Sequence, residues 1–130
     1  MTLEQLQRIF PDATADTWHQ HPNGGGWVQN TAEVAETAYV GKNARVSGNA
    51  RVHGNAKVYD NARVYGTARV SGTARVSGTA RVSGNARVSG DAMVFENARV
   101  YDNAKVYRDA LVSGDARVSG NAVVFEGEEK

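Results

Sequence analysis

The sequence lacks cysteine altogether, and its 130 residues include few large apolar side chains. Without cysteine there are no disulfides or thiolate metal sites, which fits a reducing compartment, so we expect a cytoplasmic protein. No apolar run is long enough to cross a bilayer, and no secretory signal pattern opens the chain, so we expect no membrane contact. The hydrophobic residues are almost all valine and alanine. Burial must therefore come from many small, similar contacts.

What the sequence has in abundance is a six-residue repeat, Ala-x-Val-x-x-x. Alanine stands at every sixth position from Ala32 to Ala122, and valine does so from Val34 to Val124, which gives sixteen consecutive copies. Alanine and valine lie two residues apart, so in a strand both point to the same face. The second and third positions after each valine are mostly Gly, Asn, Asp or Thr, and the first three tolerate a positive φ. Each copy thus predicts a short strand followed by a tight turn.

Units of this kind must coil if all the valines are to reach one axis, and three units per coil give a triangular prism of eighteen residues. The stretch Val46-Ser47-Gly48-Asn49-Ala50-Arg51 resembles the hexapeptide-repeat, left-handed parallel β-helix family, whose pattern is aliphatic-x-x-x-small-x. The resemblance covers residues 26–125, and it implies the left hand of the coil. We therefore predict an all-β fold, a single-stranded left-handed parallel β-helix with eighteen residues per coil and a short N-terminal helical cap.

Three segments are expected along the chain. Residues 1–25 form an N-terminal cap, a short helix plus an irregular loop, because Thr2 can cap a helix that Pro11 ends. Residues 26–126 form the β-helix, and residues 127–130 form an acidic tail.

An eighteen-residue coil places side chains eighteen apart above one another, so outward columns can be read from the sequence. One column is an arginine ladder that begins at a tryptophan, and tyrosines stand in the column beside it. Stacked guanidinium groups suit a phosphorylated small molecule, a polyanion or an acidic protein. In the alternative interpretation, the arginine stems simply cover the sheet and their heads lie in solvent. The candidate ligand-binding residues are Arg45, Arg63, Tyr65, Arg81, Arg99, Tyr101 and Arg117.

Another face carries apolar and aromatic side chains on neighbouring coils, which usually marks an interface. The resembling family typically forms trimers with rods side by side, so we predict a homotrimer. The candidate interface residues are Tyr39, Tyr59, Met93, Phe95 and Leu111. Val123 and Phe125 lie on a different face and can be explained as a cover for the edge of the last coil.

Many members of the resembling family are acyltransferases that use a histidine base and a loop interrupting the coils. Here no residue is inserted between Val28 and Val124, and His53 is the one histidine within the repeats. His53 is a candidate base, but we expect a solvated surface residue. Family carbonic anhydrases need three convergent histidines, whereas His19 and His21 lie in the cap, where we expect them to pack and hydrogen-bond. We predict no metal site and no cofactor.

The sequence thus favours a non-enzymatic scaffold or binding module, for instance one that sequesters a phosphorylated metabolite. An acyltransferase-like enzyme using His53 at a subunit boundary is one alternative, and a structural rod is another. The acidic tail and the bulky cap argue against a rod stacked end to end. We do not expect specific DNA binding, because phosphates along one DNA strand do not share the spacing of about 4.8 Å between strands.

Overall fold

A computed structural model describes the backbone of residues 1–129 and the side chains of residues 1–127. It is a parallel β-solenoid of about five coils with one short N-terminal helix. In chain order its elements are α1 (Leu3–Ile9), β1 (Trp18–Gln20), β2 (Trp27–Gln29), β3 (Glu33–Val34), β4 (Tyr39–Val40), β5 (Arg45–Val46), β6 (Arg51–Val52), β7 (Lys57–Val58), β8 (Arg63–Val64), β9 (Arg69–Val70), β10 (Arg75–Val76), β11 (Arg81–Val82), β12 (Arg87–Val88), β13 (Met93–Val94), β14 (Arg99–Val100), β15 (Lys105–Val106), β16 (Leu111–Val112), β17 (Arg117–Val118), β18 (Val123–Val124) and β19 (Glu128–Glu129).

The strands form three sheets, one for each side of the prism. Sheet A has the order β1-β2-β5-β8-β11-β14-β17, sheet B the order β3-β6-β9-β12-β15-β18, and sheet C the order β4-β7-β10-β13-β16-β19. Within the coils, pairing is parallel and joins residues eighteen apart, as in Arg63 with Arg81. The predicted fold class is confirmed.

The core is a stack of alanine and valine layers. All the repeat valines from Val40 to Val112 and all the repeat alanines from Ala38 to Ala110 are fully buried. Two backbone hydrogen bonds hold each corner from Asn49 to Asn103. At the first of these, Ala50 N donates within its own turn to Ser47 O at 3.3 Å, and Asn49 N donates to Gly66 O of the next coil at 2.8 Å. Burying a valine is worth about 1.5–3 kcal/mol, so stability is spread over many equal layers.

Each corner from Gly48 to Gly120 has one residue with a left-handed backbone. Glycine usually supplies it, as at Gly48 with φ 65°, and aspartate does so at Asp60 with φ 57°. The sequence pattern indicated these corner residues. Glu96 at φ 59° and Arg108 at φ 56° adopt the same conformation, which their side chains do not favour.

The N-terminal cap extends sheet A by one strand and packs its helix on the outer surface of that sheet. Thr2 begins α1 with a capping box, in which its hydroxyl accepts a hydrogen bond from Gln5 N and the Gln5 side chain accepts one from Thr2 N. The helix buries Leu6 in a small cluster with Ala13, Trp18 and Trp27. The predicted helix is confirmed.

The segment predicted to be an irregular loop contains β1, which pairs antiparallel with β2 and covers the first edge of sheet A. Three residues are too few for an alternating pattern to be visible in the sequence. At the other end, the segment predicted as an acidic tail contains β19, which pairs with β16 and continues sheet C.

Candidate anion-binding face

Sheet A presents the predicted arginine ladder on its outer surface. Its register places Trp27, Arg45, Arg63, Arg81, Arg99 and Arg117 in one column. These side chains point outward because the valine that follows each of them points into the core. Their exposure changes along the column. Arg45 is buried, Arg63 and Arg81 are half-buried, and Arg99 and Arg117 are exposed.

Arg45 differs from the other arginines because the cap lies over it. The side chain is only 5% exposed, and its Nε and Nη1 atoms have no hydrogen-bond partner among the described residues. A buried donor without a partner costs about 1–3 kcal/mol. Desolvation by burial, followed by the nearby charges of Arg63 and Arg81, lowers the pKa of Arg45 to about 10. The chain thus holds a desolvated, uncompensated cation at this point.

A cavity of about 210 Å³ lies beside Arg45, which forms part of its wall. The end of α1 contributes Ile9 to it, and the next residue, Phe10, adds an aromatic wall. The strands of sheet A and the residues after them supply the rest. The lining residues are Ile9, Phe10, Arg45, Ser47, Arg63 and Tyr65.

Sequence reasoning placed Arg45, Arg63 and Tyr65 on one face, but it missed Ile9 and Phe10 as neighbours of the ladder. The one available signal was a helix that ends on two consecutive apolar residues, Ile9 and Phe10. The repeat spacing says nothing about where a cap outside the repeat will fold back.

A second cavity of about 320 Å³ lies further along sheet A, between Tyr65 and Tyr101. Arg81 and Arg99 line it together with Ser83, Gly84 and Asp102. The Asp102 carboxylate accepts a hydrogen bond from Gly120 N at 3.1 Å. Among the described side chains no arginine of this column forms a salt bridge. His53 and Glu33 come within 3.6 Å of each other on sheet B. Arg117 belongs to the column but lies outside both cavities.

The residues predicted as an oligomer interface share sheet C but form two groups. Tyr39 and Tyr59 line a cavity of about 250 Å³ with Lys57 and Arg75. Further along the sheet, Met93 and Leu111 are directly paired across neighbouring coils, and Phe95 stands half-buried beside them. On sheet B, Phe125 stacks on Tyr107 with ring centroids 5.8 Å apart, as expected for an edge cover.

Each of the three histidines makes a different contact. His53 is half-exposed, with Nε2 3.6 Å from a Glu33 carboxylate oxygen. His21 is buried and donates from Nε2 to Ala38 O at 2.8 Å, whereas His19 Nδ1 bonds Asn30 Oδ1 at 2.6 Å. Within residues 1–127 no group of three or more His, Cys, Asp or Glu side chains is placed to hold a metal ion.

The fold and this face define a β-solenoid repeat protein. The chain belongs to the YdcK beta solenoid repeat family, whose model matches residues 44–57, 56–72, 80–96, 86–100, 98–114 and 110–126 and so covers more than half of the chain. That match confirms the solenoid repeat but not the likeness to hexapeptide-repeat acyltransferases. Comparison with curated proteins and with solved structures gave no match. No helix in the described part of the chain is long and apolar enough to span a membrane.

Proposed function

We propose that this chain is a non-catalytic solenoid scaffold that binds an anionic ligand with several negative charges along sheet A. One observation carries the proposal: the arginines of the ladder stand in register on one face, and no acidic side chain described by the structure pairs with them.

Electrostatics permit such a ladder but do not require it. Neighbouring strands lie about 4.8 Å apart, and at that distance two unit charges in water repel by less than about 1 kcal/mol. A ladder of bare arginine stems can therefore exist without a ligand. A plain cover of stems does not account for the cavity that Arg81 and Arg99 line between Tyr65 and Tyr101. Guanidinium groups bind phosphate oxygens in a bidentate manner, so a phosphorylated compound with two or more phosphates suits this cavity best.

The test is calorimetric titration of the protein with tripolyphosphate at low ionic strength. The double variant Arg81→Gln/Arg99→Gln should bind at least about tenfold more weakly, since each charged hydrogen bond is worth about 1.5–3 kcal/mol. The matched control is Arg69→Gln/Arg87→Gln, a directly paired couple at the same strand position on sheet B. Equal losses in both variants would show that only net charge matters, and unchanged binding in the first would refute the proposal.

We further propose that copies of the chain associate side by side through sheet C as a homotrimer. The apolar pair Met93 and Leu111 with Phe95 beside it supports this face. Native mass spectrometry of the wild type should show three copies, and Leu111→Lys should yield monomers. Val123→Lys is the control, because Val123 is equally apolar but lies on sheet B and is already 51% exposed. A monomeric wild type would refute the trimer and leave the anion-binding proposal intact.

The acyltransferase alternative depends on His53. Its imidazole stands on the outer surface beside Glu33 and borders none of the cavities described above. Turnover of an acyl-coenzyme A that is lost in His53→Ala would nevertheless favour the enzyme over the scaffold.

A further inference from the structure

We infer that the cavity between the end of α1 and Arg45 is a binding site for one small organic oxyanion, a carboxylate or phosphate group attached to a compact apolar body. The inference rests on the proposed function only in taking sheet A as the anion-binding face. The cavity meets the second cavity on sheet A at Tyr65, but its other walls differ, and it needs a different ligand.

The charge of the ligand follows from Arg45. Its guanidinium group is buried, its Nε and Nη1 atoms have no hydrogen-bond partner among the described residues, and Arg63 stands directly beside it in the sheet register. Within residues 1–127 no acidic side chain lines the cavity. A cation would be repelled by both guanidinium groups, and a neutral molecule would leave two positive charges uncompensated. An oxyanion in the cavity compensates the charge of both guanidinium groups.

The apolar part of the ligand follows from the opposite wall. Four large hydrophobic side chains are exposed among the described residues, and two of them, Ile9 and Tyr65, line this cavity. Phe10 lies next to Ile9 and adds an aromatic wall. An inorganic ion would leave these side chains in water, whereas an aryl or short alkyl group would cover them.

The size of the cavity limits the ligand. Its volume of about 210 Å³ lies below the range of roughly 300–1,000 Å³ that is typical for drug-sized molecules. One ring or a short chain with a single charged group fits this space. The second cavity on sheet A has a different wall, in which Ser83, Gly84 and Asp102 stand in place of Ile9 and Phe10. The two cavities should therefore select different anions.

The test uses phenyl phosphate, benzoate and inorganic phosphate as probes, each titrated calorimetrically into the wild-type chain. Phenyl phosphate or benzoate should bind at least about tenfold more tightly than inorganic phosphate, and whichever of the two binds identifies the charged group. Arg45→Met should weaken that binding at least about tenfold. The control is Arg51→Met, which removes an exposed arginine at the same strand position of the next strand, on sheet B, and should change affinity less than twofold.

Two further variants test the site even if Arg45→Met does not fold. Arg45→Lys keeps the positive charge but loses the planar guanidinium group. It should therefore bind the organic probe more weakly than the wild type does, at an unchanged melting temperature. Phe10→Ala should weaken phenyl phosphate more than inorganic phosphate. Absence of binding by both organic probes would overturn the site, as would full binding in Arg45→Met. Tripolyphosphate binding that depends on Arg81 and Arg99 would survive that result, so the two proposals can fail separately.

Discussion

The two ends of the solenoid are finished in different ways. At the N-terminal end, β1 covers the edge of sheet A in the antiparallel direction, and α1 packs its buried Leu6 with Trp18 and Trp27. At the C-terminal end, which we call the open end, Ala122 and Val123 are exposed and Val124 is half-buried among the described residues.

This difference has a physical consequence for the arginine ladder. Arg45 and Arg117 occupy the same column, yet the first is 5% exposed and the second is an exposed surface residue. The repeat makes the two positions equivalent in backbone, and the cap residues Ile9 and Phe10 supply one wall of the cavity beside Arg45. Repeat residues by themselves form the second cavity on sheet A, whereas a site with an apolar wall arises where a non-repeating element folds over the sheet.

The largest expected effect comes from removing a large side chain from the buried cluster of the cap. Trp18→Ala should lower the free energy of unfolding by about 3–5 kcal/mol, because Trp18 is almost fully buried against Leu6 and Phe10. Phe125→Ala at the open end should lower it by less than about 1 kcal/mol. Urea denaturation followed by circular dichroism measures both. Equal losses would show that the open end is covered as well as the capped one.

A valine in the middle of the column should matter more than one at the open end. Val70→Ala removes two buried methyl groups and leaves a cavity, so we expect a loss of about 2–3 kcal/mol. Val124→Ala should cost less than about 1 kcal/mol because its side chain is only half-buried. Chemical denaturation of the two variants under the same conditions gives the comparison, and a reversed order would contradict this description of the core.

Corner glycines should show the same contrast. Gly66 has φ +70°, and a Cβ there would lie 2.9 Å from the backbone nitrogen of Gly84. Gly120, in the same column, has φ +62° with nothing near its Cβ position. Gly66→Ala should therefore cost about 2 kcal/mol, from strain plus contact, and Gly120→Ala about 1 kcal/mol, from strain alone. Thermal melting can distinguish the two variants. Equal decreases in melting temperature would mean that the coils at Gly66 move apart without loss of stability.

The sequence predicts the interior and the columns well because both depend on a strict period. Eighteen-residue spacing alone is sufficient to align Arg63 with Arg81 and Met93 with Leu111. It could not place Ile9 and Phe10 beside Arg45, since the path of the cap depends on tertiary packing of Trp18 and Trp27. The sequence also does not predict the positive φ of Glu96 and Arg108, because the neighbouring coils impose this backbone conformation against the preference of the residue.

The smallest expected effect has the opposite sign and compares the two ends of the arginine ladder. Arg45→Met should raise the free energy of unfolding by about 1 kcal/mol, because it keeps the volume of the stem and removes a buried charge whose Nε and Nη1 atoms have no partner among the described residues. Arg117→Met should stay within about 0.5 kcal/mol of the wild type, since its head already lies in solvent.

Urea denaturation in a buffer free of phosphate and carboxylate is the required measurement, because a bound anion would stabilise the wild type and hide the gain. Adding phenyl phosphate should then stabilise the wild type and leave Arg45→Met unchanged. A clear loss of stability in Arg45→Met without ligand would mean that the Arg45 stem holds the cap in place, and the buried charge would then be a by-product of packing.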